Sequence, residues 1–301
     1  MFKRGTSYMY NNIMLPKINE IIAKTIFTKS GLPASDWVIN PYNGCLFGCM
    51  YCYAAQIARW KHPSEEWGTY LDVKMNAPEL LKTELTTLEK KLHKKDFGSV
   101  FFSSVTDPYV GMEAKYKLTR RCLEVLADFG YTGIINIQTK SDLVTRDIDV
   151  LKRLKNVSVG CTVTTLDDTT SRYFEGIAPS VTKRIAALKQ LHDAGISTYA
   201  FVGPLLPTVL ADEKQISEVL DALEQAGVET VWFEHIHLVG VVKQRLYDHI
   251  QKTKPELVPF FETADTKVYR DRLNAIIQNA MQGRPMKFAM GEVIFHKDLK
   301  K

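Results

Sequence analysis

The sequence has few cysteines and no long apolar run, and both shortages limit what the protein can be. Five cysteines in 301 residues are an odd and small number for a disulfide framework, and a chain of this length can bury a core that needs no cross-links. No apolar stretch reaches about 18 residues, and segment 1–17 lacks the apolar centre of a signal peptide. The sequence therefore predicts a cytoplasmic protein with no membrane partner.

Strong charge of either sign is also missing. There are 39 Lys and Arg against 34 Asp and Glu, a formal net charge of +5. The basic residues form short groups at 90–95 and 151–155 that are interleaved with apolar positions, as is typical of solvated helix faces. This charge balance is compatible with a polyanionic partner but does not require one. The feature that indicates a nucleic-acid interface is one contiguous basic stripe on the surface, which a sequence alone does not show.

After Asp36 the chain alternates short β-branched or aromatic runs with longer amphipathic segments, which predicts parallel strands joined by helices. The six predicted strands are 37–42, 99–104, 133–139, 157–163, 197–203 and 230–236. Because six strand–helix units are too few to close an eight-stranded barrel, we expect an α/β fold with an open, partial (β/α)6 TIM-type barrel. Its site should lie at the carboxyl ends of the strands.

The helix pattern divides the chain into three parts. Predicted helices of the barrel are 77–95, 119–130, 180–195 and 213–227. We expect residues 1–36 to be a lead-in packed on the core, 37–240 to form the barrel, and 241–301 to be a mainly helical C-terminal extension. That extension contains helical patterns at 241–253 and 268–281 and a β-like segment at 291–295.

Three of the five cysteines form one short motif, C-x3-C-x2-C, at Cys45, Cys49 and Cys52. Thiolates at these intervals on a tight loop are able to bind one inorganic centre, and the predicted place of the loop is the barrel mouth. Structural zinc takes four protein ligands, and the nearest further candidate, His62, lies ten residues on. A four-iron cluster held by three cysteines keeps one iron open to a ligand.

Other interpretations of the motif stay open at this stage. One alternative is that the three thiols are unrelated buried residues. The others are a structural zinc site and a non-catalytic cluster that holds a fold or a partner. Cys122 and Cys161 lie within helix and strand patterns and are interpreted as buried small apolar residues.

Several motifs in the same order extend the pattern beyond the cysteines. They are "TIFTKSGL" (25–32), "INPYNGCLFGCMYCYA" (39–54), "SSVTDPYVGMEAKYKLTR" (103–120), "TKSDLVTRD" (139–147), "TTLDD" (164–168) and "EGIAPSVTKRIAALKQLHDAGI" (175–196). From about residue 25 to 240, the chain resembles the radical S-adenosylmethionine (SAM) superfamily. Within it, the motifs resemble the spore photoproduct lyase-like branch, also described as DNA-repair-photolyase-related.

The resemblance implies a chemistry. In that family three cysteines hold a [4Fe-4S] cluster, and the amino and carboxylate groups of SAM bind the open iron. Reductive cleavage of SAM then yields a 5′-deoxyadenosyl radical that abstracts hydrogen from a substrate. The resemblance therefore implies an enzyme with a [4Fe-4S] cluster at Cys45, Cys49 and Cys52, SAM, and a reductant such as flavodoxin or ferredoxin. A nucleic acid is the substrate class it favours, while peptides and small molecules stay open.

The resemblance also implies residues that contact SAM. Tyr51 corresponds to an aromatic residue beside the adenine, and Lys140 to a lysine that reaches the SAM carboxylate or ribose. Thr106 and Asp107 belong to a region, with Ser103 and Ser104, that contacts the methionine amino group. Thr162 and Thr164, at alternate positions of one predicted strand, are candidates for the ribose. Each candidate has an ordinary alternative: packing for Tyr51, a turn for Thr106 and Asp107, and a solvated loop for Lys140. For Thr162 and Thr164 the alternative is that threonine is a common strand residue.

Candidates for catalysis proper are fewer. Tyr53 is similar to a tyrosine near the radical relay of the lyases, and a packing role is its alternative. His235 and His237 are expected to share one strand face, where they either meet a substrate or form hydrogen bonds in the core. Ser104 stands where the lyases carry a hydrogen-donating cysteine, which a serine O–H cannot replace, so thymine-dimer repair by the lyase route is not expected. Glu175 and Arg184 are expected to form a structural ion pair.

Overall fold

The computed structural model describes residues 9–10, 13–32, 35–58 and 60–295. No helix within these residues is long and apolar enough to cross a membrane.

The main sheet has eight strands in the order β13-β12-β11-β10-β9-β8-β5-β4. Its strands are β4 (Phe27–Lys29), β5 (Trp37–Ile39), β8 (Val100–Phe102), β9 (Ile135–Thr139), β10 (Val157–Thr162), β11 (Ser197–Leu205), β12 (Thr230–His235) and β13 (Lys287–Phe288). All neighbouring pairs are parallel except β4 with β5. The six predicted strands are therefore confirmed, and within the described residues the two edge strands do not pair with each other.

A smaller three-stranded sheet in the order β3-β7-β6 carries the segment that leads into the cysteine motif. Its strands are β3 (Lys17–Ile21), β6 (Tyr42–Asn43) and β7 (Tyr70–Lys74). A separate short pair, β1 (Met9–Tyr10) with β2 (Ile13–Met14), is antiparallel. The small sheet ties the lead-in to the barrel, because β3 comes from the lead-in and pairs with β7.

Helices connect the strands and build the C-terminal extension. They are α1 (Ala54–Ala58), α2 (Ala77–Leu92), α3 (Glu113–Tyr116), α4 (Leu118–Phe129), α5 (Ile148–Leu151), α6 (Asp168–Glu175), α7 (Val181–Asp193), α8 (Glu213–Gln225), α9 (Gly240–Thr253), α10 (Val258–Ala264) and α11 (Lys267–Met281). Two 3-10 helices lie at Asp142–Asp147 and Pro255–Leu257. The predicted helical extension is confirmed by α9, α10 and α11.

The two faces of the main sheet have different surroundings. On β8, β9 and β10, the side chains of Phe102, Ile137 and Val159 pack with the apolar faces of α2 and α4. The intervening residues of the same strands point to the opposite face, because side chains alternate along a strand. Helices therefore cover one face of the barrel, and the other faces its interior.

The predicted strand 37–42 and the predicted β-like segment 291–295 differ from the structure in their pairing. The predicted strand 37–42 is divided at Pro41 into β5 and β6, which belong to different sheets. Proline has no N–H to donate to a ladder, and the Pro41 carbonyl instead accepts from the Lys74 N–H. The β-like segment 291–295 contributes only a bridge between Ile294 and Glu234, and the strand of this region is β13.

Candidate cofactor site

The three clustered cysteines lie on the loop between β6 and α1, which we call the cluster loop (residues 44–53). Gly44 and Gly48 in this loop have φ of +82° and +71°. A Cβ at Gly44 would lie 2.6 Å from the Tyr70 ring. Gly68, just before β7, lies against Gly48, and a Cβ at Gly68 would be 2.9 Å from the Gly48 Cα. Glycine is therefore required where the loop lies close against the β7 segment.

The thiols of the cluster loop are in a reduced, largely buried state. All three are free cysteines, and Cys45 and Cys49 are 7% and 5% exposed. Burial raises the pKa of Cys49 to about 12 and raises the pKa of Cys45 and Cys52 as well. Thiolates at these positions therefore need a positive centre as their partner, and metal binding would release their protons.

Within the described residues, no three His, Cys, Asp or Glu side chains lie close enough together to bind one metal ion. A four-iron cluster is held by separate thiolates on separate irons, so its ligands need not converge on one ion. His62, the other ligand candidate in the sequence, contacts Asp72 at 2.9 Å and stacks on Tyr70 with ring centroids 3.9 Å apart.

Tyr51, between the second and third cysteines, is held by a buried ion pair. Its hydroxyl donates to Glu175, which is paired with Arg184. The predicted ion pair of Glu175 and Arg184 is thereby confirmed, and both residues are 1% exposed or less. The Tyr51 side chain is thus fixed by the barrel wall.

Two cations lie beside the thiols. Lys140 follows β9, its ammonium is 5.6 Å from the centre of the Tyr51 ring, and its charge lowers the pKa of Cys49 and Cys52 against the effect of burial. Arg245 of α9 approaches the Cys49 and Met50 carbonyls at 3.4 and 3.5 Å. No pattern in the sequence indicates Arg245, because only the packing of α9 on α1 brings it to the loop.

Thr106 and Asp107, in the loop after β8, form hydrogen bonds within the protein. The Thr106 hydroxyl donates to the Gly44 carbonyl. The Asp107 carboxylate accepts from the Thr139 hydroxyl at 2.6 Å and from the N–H groups of Lys140 and Tyr109 at 2.8 Å each. Burial raises the pKa of Asp107, and these hydrogen bonds to its carboxylate reduce the size of that rise. Both side chains therefore join the β8 loop to neighbouring segments.

Ser103 is different from its neighbours. It has φ of +66°, unusual for a residue with a Cβ, and is 6% exposed. Its hydroxyl has no hydrogen-bond partner among the described residues. Because buried polar groups are normally paired, this hydroxyl is suited to a polar ligand.

The remaining cofactor candidates lie on the same side of the barrel. Thr164 donates to Glu175 at 3.2 Å and so belongs to the ion-pair network. Thr162 lies next to Gln138, whose amide donates to it at 3.4 Å. Tyr53 is 46% exposed at the loop, and its hydroxyl donates to the Ser104 carbonyl.

The interior face of the barrel is lined by aromatic rings and amides. Strand register places Phe101 beside Asn136, and Phe201 between Thr162 and Trp232. The half-buried residues on this face include Phe101, Asn136, Gln138, Phe201 and Trp232. The sequence alone does not predict this lining, since only the strand register brings these residues into shared rows.

The structure separates the two histidine candidates. Strand β12 ends at His235, so His235 and His237 do not share a strand face as predicted. His235 is buried between the rings of Tyr269 and Phe295, on the side of the C-terminal extension and opposite to the interior face. His237 lies in the loop before α9.

The two remaining cysteines are buried core residues, as expected. Cys122 on α4 and Cys161 on β10 are fully buried in apolar clusters. Cys161 alternates with Thr162, so its thiol points away from the barrel interior.

The fold, with a cysteine-bearing loop at the mouth of an open barrel, defines a class of enzyme, and the comparison with known families agrees. The sequence profile described as "Radical SAM superfamily" matches residues 39–220. The chain belongs to the radical SAM superfamily and is a radical SAM enzyme, whose cofactors are a [4Fe-4S] cluster and SAM.

Individual relatives are known by sequence and by structure. An uncharacterized protein of Methanocaldococcus jannaschii is 36% identical over 202 residues, 67% of this chain and 73% of the relative. An uncharacterized protein of Mycobacterium tuberculosis is 24% identical over 278 residues, 86% of this chain and 79% of the relative.

A solved structure of spore photoproduct lyase complexed with dinucleoside spore photoproduct matches with a TM-score of 0.69 and 15% identity, over 92% of this chain and 82% of that chain. This likeness confirms the partial TIM-type barrel.

Proposed function

We propose that Cys45, Cys49 and Cys52 hold a [4Fe-4S] cluster and that the chain cleaves SAM to abstract hydrogen from a substrate. The observation that carries the proposal is the place of the thiols. They lie on one glycine-bent loop at the carboxyl ends of the strands, beside the Lys140 ammonium and the Tyr51 ring. When bound and reduced, the cluster supplies the electron that splits the sulfonium of SAM.

The residues around the loop support a SAM site. Ser103 offers a buried, unpartnered hydroxyl to the polar end of the ligand, and Lys140 offers a cation to its carboxylate. Tyr51, whose ring lies beside the Lys140 ammonium, and Thr162, at the end of β10, are proposed to contact the adenine and ribose. Thr106, Asp107 and Thr164 hold the surrounding loops, so we propose that their part in SAM binding is indirect.

The proposal is tested by cofactor content and SAM cleavage in single-cysteine variants. Anaerobically reconstituted, dithionite-reduced protein is expected to bind four irons per chain and to form 5′-deoxyadenosine. Cys52→Ala is expected to lose both properties, whereas Cys122→Ala, which removes a core thiol, is expected to keep them. A wild-type protein that holds its cluster but forms no 5′-deoxyadenosine would contradict the proposal.

We propose further that the substrate presents a nucleobase to the barrel interior. Aromatic faces stack on bases and amides bond to base edges, which matches the lining by Phe101, Phe201, Trp232, Asn136 and Gln138. We expect binding of single-stranded DNA or RNA that weakens with salt, measured by fluorescence anisotropy, and that weakens again in Trp232→Ala. Equal affinity in Trp232→Ala, or no binding at low salt, would contradict it.

Ser104 sets the limit of the proposed reaction. Its side chain has no thiol to return a hydrogen atom, so repair of the spore thymine dimer by the lyase route is not proposed. We propose flavodoxin or ferredoxin as the reductant and Tyr53, at the exposed edge of the loop, as a residue near the substrate. Location in the cytoplasm, in keeping with five free cysteines, stays a prediction.

A further inference from the structure

We propose that Glu175 and Arg184 are positioning residues, which fix the cluster loop through Tyr51 and set the reduction potential of the cluster. This inference rests on the proposed function, since it takes Cys45, Cys49 and Cys52 as the cluster ligands. It assigns a role to an ion pair that would otherwise be only structural.

The Glu175 carboxylate is fully paired inside the barrel wall. One oxygen accepts from the Tyr51 and Thr164 hydroxyls, and the other accepts from the Ser171 hydroxyl at 2.6 Å and from Arg184. Because desolvation offsets most of the attraction within a buried ion pair, stability alone is a weak explanation for such a pair. Its location beside the thiols offers a better one.

Arg184 anchors this network to the barrel. Its guanidinium donates to the Thr162 carbonyl at 3.1 Å and to the Pro179 carbonyl at 2.8 Å. A continuous chain of contacts therefore runs from the end of β10 through Arg184 and Glu175 to Tyr51, which lies between Cys49 and Cys52 in the sequence.

The end of α6, which carries Glu175, and the turn after it also hold the cluster loop through their backbone. The Met50 N–H donates to the Phe174 carbonyl at 2.9 Å, and the Ile177 N–H donates to the Phe47 carbonyl at 3.1 Å. The Cys49 thiol lies 3.9 Å from the Glu175 carbonyl oxygen. Side-chain and backbone contacts thus fix the same part of the loop.

The charges of the pair act on the cluster ligands. The Glu175 carboxylate accepts from the Tyr51 hydroxyl and pairs with Arg184. The Cys49 thiol lies against the Glu175 backbone carbonyl, so the charges of Glu175 and Arg184 lie close to the cluster loop. Reduction adds negative charge to a cluster, and net charge near a cluster is one of the factors that set its potential. Glu175 should therefore lower the potential, and Arg184 should raise it.

The test is redox titration of the cluster, followed by electron paramagnetic resonance (EPR). Glu175→Gln leaves Arg184 and Lys140 uncompensated and is expected to raise the midpoint potential. Arg184→Gln is expected to lower it, and the double variant is expected to return towards the wild-type value. The matched control is Asp147→Asn, a fully buried carboxylate paired with Arg120 and Arg146, which is expected to leave the potential unchanged.

A merely structural pair would shift both single variants in the same direction, or neither, and that result overturns the electrostatic part. If a charge variant fails to fold, Tyr51→Phe decides the positioning part, since it keeps both charges and removes one hydroxyl. It is expected to lose iron faster than Asp147→Asn, and equal retention overturns that part. Absence of a cluster in the wild-type chain would instead refute the proposed function.

Discussion

Single side chains at the strand ends divide into those that hold loops and those that remain for a ligand. The resemblance implies that Thr106 and Asp107, in the loop after β8, contact SAM. The structure uses their oxygens to bind the protein's own hydroxyl, N–H and carbonyl groups. Ser103, which the sequence did not favour, has the buried hydroxyl without a partner among the described residues. Residue type placed this region at the site, but only coordinates show which oxygen is already used.

Burial of His235 predicts a pH-dependent stability. Desolvation lowers the pKa of this buried side chain to about 4. The charge of Arg270 lowers the pKa further, whereas the Ala264 backbone and Asp265 raise it. As pH falls from about 6.5, the unfolded chain gains a proton that the folded protein does not take up until about pH 4. The free energy of unfolding is therefore expected to fall with decreasing pH by about 3 kcal/mol from this group.

Urea unfolding between pH 7 and pH 4 measures this dependence. His235→Asn is expected to show a flatter pH profile than the wild-type protein, whereas His192→Gln, at an exposed position of α7, is expected to keep the wild-type slope. Equal slopes in His235→Asn and wild type would show that His235 is not the group responsible.

Among elements, the contact between α6 and the cluster loop is the most restrictive. Gly176, the residue after α6, has φ of +58°, and a Cβ there would lie 2.3 Å from the Phe47 carbonyl oxygen. Gly176→Ala must therefore move the cluster loop or the turn. We expect it to lower stability by more than about 1 kcal/mol and to reduce the iron bound after anaerobic reconstitution.

Gly195, at the end of α7, is the matched control for this change. Its φ is +79°, and a Cβ there would meet nothing within 4 Å. Gly195→Ala therefore also places a Cβ at a positive φ, but without a clash, and it is expected to lose some thermal stability but no iron. If both variants bind iron as the wild type does, the turn does not position the loop.

The sequence predicts the helices and barrel strands well because their periodicity is local. The predicted helix 213–227, for example, corresponds to α8 (Glu213–Gln225). The small sheet was missed, because β3, β6 and β7 are short and pair segments that are far apart in the chain. The predicted strand 99–104 ends at Phe102, since Ser103 adopts a positive φ.

For the whole molecule, an open barrel with its cysteine loop at the mouth explains why the class could be predicted from sequence. The spacing of Cys45, Cys49 and Cys52 is local, and the motifs follow one another in the order of the strands. The surroundings of the loop were harder to predict. Arg245 and the interior rows of Phe201 and Trp232 depend on helix packing and strand register, which a single sequence does not show.

The central claim is that three thiolates hold four irons and leave one iron for SAM. The most direct measurement is EPR of the anaerobic, reduced protein with and without SAM. We predict a [4Fe-4S] signal that SAM changes in the wild-type protein and that Cys45→Ala, Cys49→Ala and Cys52→Ala each lose. A zinc-containing protein with no signal, or a cluster signal that added SAM leaves unchanged, would contradict the account.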